Sequence, residues 1–219
     1  MAKYTNTAPT TVREVEEIGR VKSLLGILKL SDEEAYKHSI EVAKIVEEFV
    51  IIARGDGVVS WTDAEVSSVL IGALLHDVGK AFLPFGLQHS KNNISTLEKE
   101  VINMHPMLGA VAIENCEFDD IIKNIVLMHH ANADGTGYPL LEGRQLNEKN
   151  VPDYVWAVSY ADRFDAIINR RSYRVAKPLS EAWQDLASEV TSGRLPYAFM
   201  GAYKCIARRR DIFDGKSYT

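Results

Sequence analysis

The sequence predicts an all-α fold, a single compact helical bundle domain. Three observations carry that expectation. Almost every periodic segment spaces its apolar residues three and four apart, as one face of a helix requires. Two of those segments are preceded by Ser or Thr with Glu three residues on, the form of a capping box. No segment alternates apolar and polar residues like a half-buried strand, and no internal repeat or low-complexity tract interrupts the chain.

Residues 1–12 are polar, carry Pro9 and four threonines, and read as a loose arm. Residues 13–29 read as one helix, so 1–30 is set apart as an N-terminal arm and helix from a main domain over 31–215. Ser31-Asp32-Glu33-Glu34 has the capping-box form and opens a helix to about Ile52, with His38, Val42, Ile45, Val46 and Phe49 on one face. Arg54-Gly55-Asp56-Gly57 is a turn signal. Thr62-Asp63-Ala64-Glu65 opens the next helix, whose Val66, Val69, Leu70, Ala73 and Leu74 share a side and which stops at His76-Asp77, ahead of Gly79. Residues 82–95, with Pro84, Gly86 and two asparagines, read as loop. A helix from Thr96 reaches His105, and Pro106 suits the first turn of another, to about 115. Asp119 or Asp120 caps a helix that leads Ile122, Ile125 and Val126 into His129-His130. Residues 131–150, rich in Gly, Asn and Asp, read as loop. Pro152 starts a long helix carrying Val155, Val158, Ala161, Asp162, Asp165 and Ile168, and helices over 180–191 and 196–210 follow.

Composition narrows the function classes. With 46% apolar and 25% charged residues the chain reads as a soluble globular protein, and 219 residues suffice for a sizeable core without staples. The formal charge of −5 argues against non-specific binding of nucleic acid, so neither DNA nor RNA is an expected partner, and an anionic substrate would need a locally basic or metal-rich pocket. Cys116 and Cys205 form no CxxC pattern, which argues against a disulfide framework and a cysteine zinc site and fits a reducing cytoplasm. Apolar runs stop short of the roughly 18 residues a membrane span needs, and the N-terminus lacks an apolar signal core; a cytoplasmic, non-membrane protein is expected.

The six histidines are unevenly placed. His38, His76, His105, His129 and His130 stand where helical faces end or turn inward, and His89 lies in a polar loop. Burying several imidazoles and carboxylates without partners costs a few kcal/mol each, and a shared cation removes that cost by binding neutral imidazole and ionised carboxylate together. Glu34 and His38 are spaced i, i+4, and Asp162 and Asp165 i, i+3, so each pair can face one point. Glu34 has a competing local role in its capping box, and Asp165 a competing role in orienting a ligand. Such donors suit iron or manganese, with nickel, zinc or magnesium as alternatives. Two such cations about 4 Å apart would share a bridging hydroxide and clamp a phosphate.

With these stretches assembled, the chain resembles the HD superfamily of metal phosphohydrolases, and within it the HD-GYP subfamily. The resemblance runs from about Ala35 to Lys177. It is carried by Leu75-His76-Asp77-Val78-Gly79-Lys80, by His105-Pro106-Met107-Leu108-Gly109, by His129-His130 with Asp134-Gly135-Thr136-Gly137-Tyr138-Pro139, by Ala161-Asp162-Arg163-Phe164-Asp165-Ala166, and by Arg171-Ser172-Tyr173-Arg174. The dipeptide alone is weak, but the ordered set is specific. The resemblance implies a helical bundle and hydrolysis of a cyclic dinucleotide, most characteristically cyclic di-GMP, with two or three divalent metal ions. By motif position it implies that His38, His76, Asp77, His105, His129, His130 and Asp162 hold metal and that Glu34 serves a third ion. Asp77 and Lys80 then act in catalysis, Lys80 on phosphate. Tyr138, Asp165, Arg171 and Arg174 fall near the substrate, and the loop around Tyr138 is a docking place for a regulatory protein.

Departures from the pattern bear on the substrate. Ala131 stands where the family usually has Glu, Ser172 where it has Pro, the Ala81-Phe82-Leu83-Pro84 loop is bulkier, and Gln145-Leu146 replaces the usual Ile-Pro. Two other readings therefore stand beside the leading one: hydrolysis of another nucleotide, and a catalytically weak sensor of cyclic dinucleotides that signals through a partner. Only about 30 residues precede the motifs, so regulatory input is expected to come from a partner protein or to be absent. Oligomeric state is left open.

Overall fold

The computed structural model describes residues 8–88, 95–141, 146–169 and 179–213. His89, Arg171 and Arg174 lie outside them. Helices α1 (Val12–Glu16), α2 (Gly19–Ser31), α3 (Glu33–Gly55) and α4 (Asp63–Leu75) lead to a 3-10 segment, Val78–Phe82, and a short α5 (Phe85–Gln88). Then come α6 (Thr96–Ile102), α7 (His105–Ile113), α8 (Asp120–Met128), α9 (Asp153–Asn169), α10 (Leu179–Thr191), a 3-10 turn at Tyr197–Phe199 and α11 (Met200–Phe213). The all-α expectation holds: among the described residues no strand longer than an isolated bridge at Leu141 forms. No described helix is long and apolar enough to cross a membrane.

Helix α4 is the axis of the core. Every residue from Val66 to Leu75 is buried. A helix apolar all round must be enclosed, and α4 packs against α3, α8, α1, α2 and α9. Fully buried side chains such as Leu70 and Leu74 each contribute roughly 1.5–3 kcal/mol. On the far side of α3, Tyr203 of α11 stacks on Phe49 and on Tyr160, with centroids 5.1 and 4.8 Å away, and its hydroxyl donates to the Ala157 carbonyl at 2.5 Å. Arg210 forks onto Glu41 and Glu48 of α3 at 2.8 and 2.7 Å. Helix α9 is thus held between α3 and the C-terminal helices, which fixes the height of Asp162.

Local signals explain most of the boundaries. Thr62 and Glu65 form the expected capping box, and Thr11 with Glu14 and Ser95 with Glu98 form two more of the same spelling. Asp119 caps α8 by accepting from Ile122 N. Four expectations change, one being that α5 (Phe85–Gln88) forms within the 82–95 stretch read as loop. Residues 13–29 form two helices rather than one, broken where Ile18 takes an extended conformation. Helix α7 begins at His105, with Pro106 in its first turn. Ser31 is the last residue of α2, and Asp32 caps α3 by accepting from Ala35 N at 2.9 Å. The chain reverses between α2 and α3 too sharply for Ser31 to serve both, and its hydroxyl donates to the Ala81 carbonyl instead. Val12, Val15, Val21, Leu24 and Leu25 lie in the same core as α3 and α4.

Candidate metal centre

Helix ends build the site. Helix α4 delivers His76 and Asp77, and the chain turns at once into the Val78–Phe82 segment, which packs on α7. The approach is so close that a Cβ on Gly79 would overlap the His105 carbonyl and stand 2.5 Å from Gly109 N. Glycine is needed there for contact between backbones. That contact brings the first residue of α7 to Asp77, with His105 Nε2 3.2 Å from Asp77 Oδ1. His129 and His130 arrive from the end of α8.

Hydrogen bonds set the imidazoles. His76 Nδ1 donates to the Ala73 carbonyl at 2.7 Å, His105 Nδ1 to Ile102 at 2.9 Å, and His129 Nδ1 to Val126 at 3.0 Å. Each bond goes back one turn and commits the ring proton to Nδ1, so each Nε2 presents a lone pair inward. His105 Nε2 and His129 Nε2 lie 3.2 Å apart, two lone pairs that repel unless something positive sits between them. His76 Nε2 and Asp77 Oδ1 are fully buried without a hydrogen-bond partner. Orphaned acceptors of this kind fit a divalent cation, which would satisfy them together. Asp77, His105, His129 and His130 converge as one donor group, and His38, His76 and Asp77 as a second, sharing Asp77.

Electrostatics divide the two groups. Burial, reinforced by the neighbouring histidines, holds His129 well below its ordinary pKa, and burial drives His130 down to about 3. Asp77 is fully buried, which opposes its charge, yet the Lys80 ammonium beside it keeps it ionised well below the usual carboxylate range. His38 differs. Burial works against its charge, but hydrogen bonds with Asp162 and Asp165 prevail and raise its pKa to about 10. As imidazolium it donates Nε2–H to Asp162 Oδ1 at 3.0 Å and Nδ1–H to Asp165 Oδ2 at 2.5 Å. Asp162 is held well below the carboxylate range by the same bond and by His130, whose Nδ1 lies 3.7 Å away.

The remaining expected residues fall in four places. Lys80 lies beside the pair as expected, with Nζ 2.6 Å from Asp77 Oδ2. Tyr138 lies over His130, ring centroids 4.6 Å apart, and 6.3 Å from His105. Asp165 is buried against His38, with its carboxylate on the imidazole, which fits the ligand-orienting role that the sequence left open beside a substrate contact. Glu34 is not brought to the centre. In the first turn of α3 its side chain is 89% exposed and pairs with Lys37 at 3.4 Å. Sequence reasoning passed over Arg163 and Asn132, which meet behind His130 at 2.5 Å. The one signal was the single basic residue of that helix, set between Asp162 and Asp165.

Helix ends that turn imidazoles and carboxylates onto two points with a common aspartate define a class, a helical scaffold for divalent cations. Comparison agrees: the HD domain model matches residues 35–167, more than half of the chain, which belongs to that family. A cyclic di-GMP phosphodiesterase of Thermotoga maritima is 29% identical over 197 residues, 86% of this chain and 49% of the relative. A 3'3'-cGAMP-specific phosphodiesterase of Vibrio cholerae is 26% identical over 183 residues, 83% of this chain and 40% of the relative. The chain therefore spans half or less of the length of these curated relatives. Among solved structures, the HD domain of the Listeria monocytogenes phosphodiesterase PgpH in complex with cyclic di-AMP superposes with a TM-score of 0.65 at 16% identity, covering 90% of this chain and 99% of that one. Bd1817 of Bdellovibrio bacteriovorus gives 0.62 at 21% identity, covering 90% and 61%. These two share the fold.

Proposed function

We propose that the chain is a metal-dependent phosphodiesterase that hydrolyses a cyclic dinucleotide, with cyclic di-GMP the leading substrate. The observation that carries the reading is the pair of donor groups sharing Asp77, with the Lys80 ammonium on the same carboxylate. Asp77, His105, His129 and His130 would hold one cation, and His38, His76, Asp77 and Asp162 a second. Divalent ions there supply Lewis-acid activation of water and of a phosphoryl oxygen. The oxygen and nitrogen donors suit iron or manganese. A third ion has no support from Glu34, so the reading is of two.

The chain's own residues do the rest. The helix carbonyls that accept from His76, His105 and His129 keep those rings in their tautomers. Lys80, partly exposed at the edge of the cluster, is placed to leave Asp77 for a phosphate oxygen and offset charge as it builds there. Tyr138 walls the histidine side. Burial and the nearby Asp77 and Asp162 raise its pKa, so it meets substrate as a neutral phenol. Loop Gly135–Pro139 and the exposed Leu140 beside it are our docking face for a regulatory protein. The free thiols Cys116 and Cys205 suit a cytoplasmic setting.

The test is turnover by anaerobically prepared protein loaded with Fe²⁺ or Mn²⁺, offered cyclic di-GMP, 3'3'-cGAMP and cyclic di-AMP, with products separated. Appearance of a linear dinucleotide or mononucleotide is expected. Cleavage confined to other nucleotides would shift the substrate class, and tight binding without turnover would make the protein a sensor.

A further inference from the structure

After His129-His130 the chain folds back on itself. Tyr138 N donates to the His130 carbonyl at 3.2 Å, and a Cβ on Gly137 would stand 2.5 Å from Asn132 N. The fold-back lays the Tyr138 ring on His130. Bonds inside the loop are short-range: Gly135 N to the Asn132 carbonyl, Asn132 Nδ2 to Thr136 Oγ1, and Thr136 N to Asp134 Oδ1. They shape the turn but do not attach it to the bundle.

Attachment comes from α9, from the end of α10, and from Glu148, whose N–H donates to the Ala133 carbonyl at 3.2 Å. Arg163 follows Asp162 on α9. Its Nη2 donates to Asn132 Oδ1 at 2.5 Å and to the Ala131 carbonyl at 3.3 Å. Its Nη1 donates to the Arg194 carbonyl at 3.4 Å and lies 3.6 Å from Glu189 Oε2. The Arg194 carbonyl also accepts from Ala133 N at 2.9 Å, and the Arg194 guanidinium pairs with Glu189 at 2.7 Å. A largely buried guanidinium is costly unless its N–H groups are met, and here the acceptors come from the loop and from the connector after α10. Two side chains of α9 thus reach the histidine end of α8 and its loop: Ser159, whose hydroxyl donates to the His129 carbonyl at 2.6 Å, and Arg163, which alone of the two reaches past His130 into 131–132.

We infer that Arg163 is a positioning residue for the histidine side of the centre: through Asn132 and the Ala131 carbonyl it holds loop 131–138 so that His130 and Tyr138 keep their places, with Glu189 and Arg194 holding Arg163 in turn. The effect on cation binding rests on the metal-centre reading above, and the ordering of the loop does not.

The test uses the full chain, first free of metal. Wild type, Arg163→Ala, Arg163→Lys, Asn132→Ala and the double alanine variant are compared by amide hydrogen exchange, then titrated with Mn²⁺ against a chelating indicator. Arg163→Ala and Asn132→Ala should each speed exchange at Ala133 and Tyr138 about tenfold or more while α4 stays protected. Each should weaken Mn²⁺ binding about tenfold, the double variant no further than Arg163→Ala, with Arg163→Lys in between because an ammonium cannot fork onto two acceptors. Unchanged exchange over 131–138 in Arg163→Ala, or single effects that simply multiply in the double variant, overturns the inference. Should Arg163→Ala fail to fold, Arg163→Lys decides, since it keeps the charge and the stem and loses the fork while Asn132 keeps its own bond to Thr136. Absence of any Mn²⁺ binding in wild type sinks the metal reading while the exchange data still judge Arg163.

Discussion

The histidine side of the centre and the His38 side share Asp77, yet they stand in opposite electrical states. On the first, His129 and His130 are held neutral by burial and two lone pairs face each other across 3.2 Å. On the second, His38 is an imidazolium already bonded to two carboxylates. Apart from the Lys80 ammonium on the shared Asp77, the first carries no positive charge on His129 or His130. The second has supplied its own. A cation therefore enters the histidine side without displacing a proton from His129 or His130, and enters the His38 side only by expelling one. The difference predicts unequal affinities, with the histidine side filling first.

The largest break in that comparison comes from the shared residue. Asp77→Asn removes charge from both sides and leaves two buried groups of lone pairs around a neutral amide. We expect loss of both cations at micromolar Mn²⁺ and a fall in turnover of about a thousandfold or more, read by metal analysis and product assay. Lys80→Ala comes next. It frees Asp77 from a competing ammonium, so cation binding should hold or tighten while kcat drops about a hundredfold, the usual scale for losing one group that stabilises a phosphoryl charge. A fall in Mn²⁺ affinity instead would make Lys80 a structural support.

Acid and base act on the His38 side alone. With its pKa at about 10, His38 must be deprotonated by the incoming ion, so between pH 7 and 9 the affinity of the second cation should rise about tenfold per pH unit while the first changes little. In the metal-free chain the sign reverses. A raised pKa stabilises the fold fully below about pH 6.5, and that contribution is lost as the pH rises through about 10, which a series of melting curves will record. Asp165→Asn should flatten both profiles by lowering the His38 pKa, at a cost of about 10–100-fold in second-cation affinity. Equal pH slopes for the two cations would remove the asymmetry.

The sequence and the structure agree unevenly across the same two sides. The helices were legible because caps and apolar spacing are local: Thr62 with Glu65 set the start of α4, and Asp119 that of α8. His76, His105, His129 and His130 could be grouped because each sits at a helix boundary marked by sequence. What the sequence did not disclose is direction. Which ring nitrogen faces inward depends on a carbonyl one turn back, and the role of Gly79 depends on α7, 26 residues away in sequence at His105. The resemblance placed Asp165 near the substrate, while its competing role, orienting a ligand, is the one that its bond to His38 fits, and spacing alone could not choose between them. Arg163 reads as an ordinary helical arginine until Asn132 and Glu189 are seen around it.

Glu34 gives the smallest effect and the sharpest check on direction. Its i, i+4 spacing from His38 promised a shared ligand, but one turn nearer the helix start its side chain stands in solvent, where Lys37 meets it. A fully solvated pair of this kind contributes little to stability. Glu34→Gln should therefore leave the Mn²⁺ count at two, both affinities and kcat within about twofold, and the melting temperature unchanged within error. A third equivalent of Mn²⁺ that Glu34→Gln removes would mean that α3 rewinds its first turn when metal binds. In that case the His38 side gains a carboxylate, and the asymmetry between the two sides belongs to the metal-free chain alone.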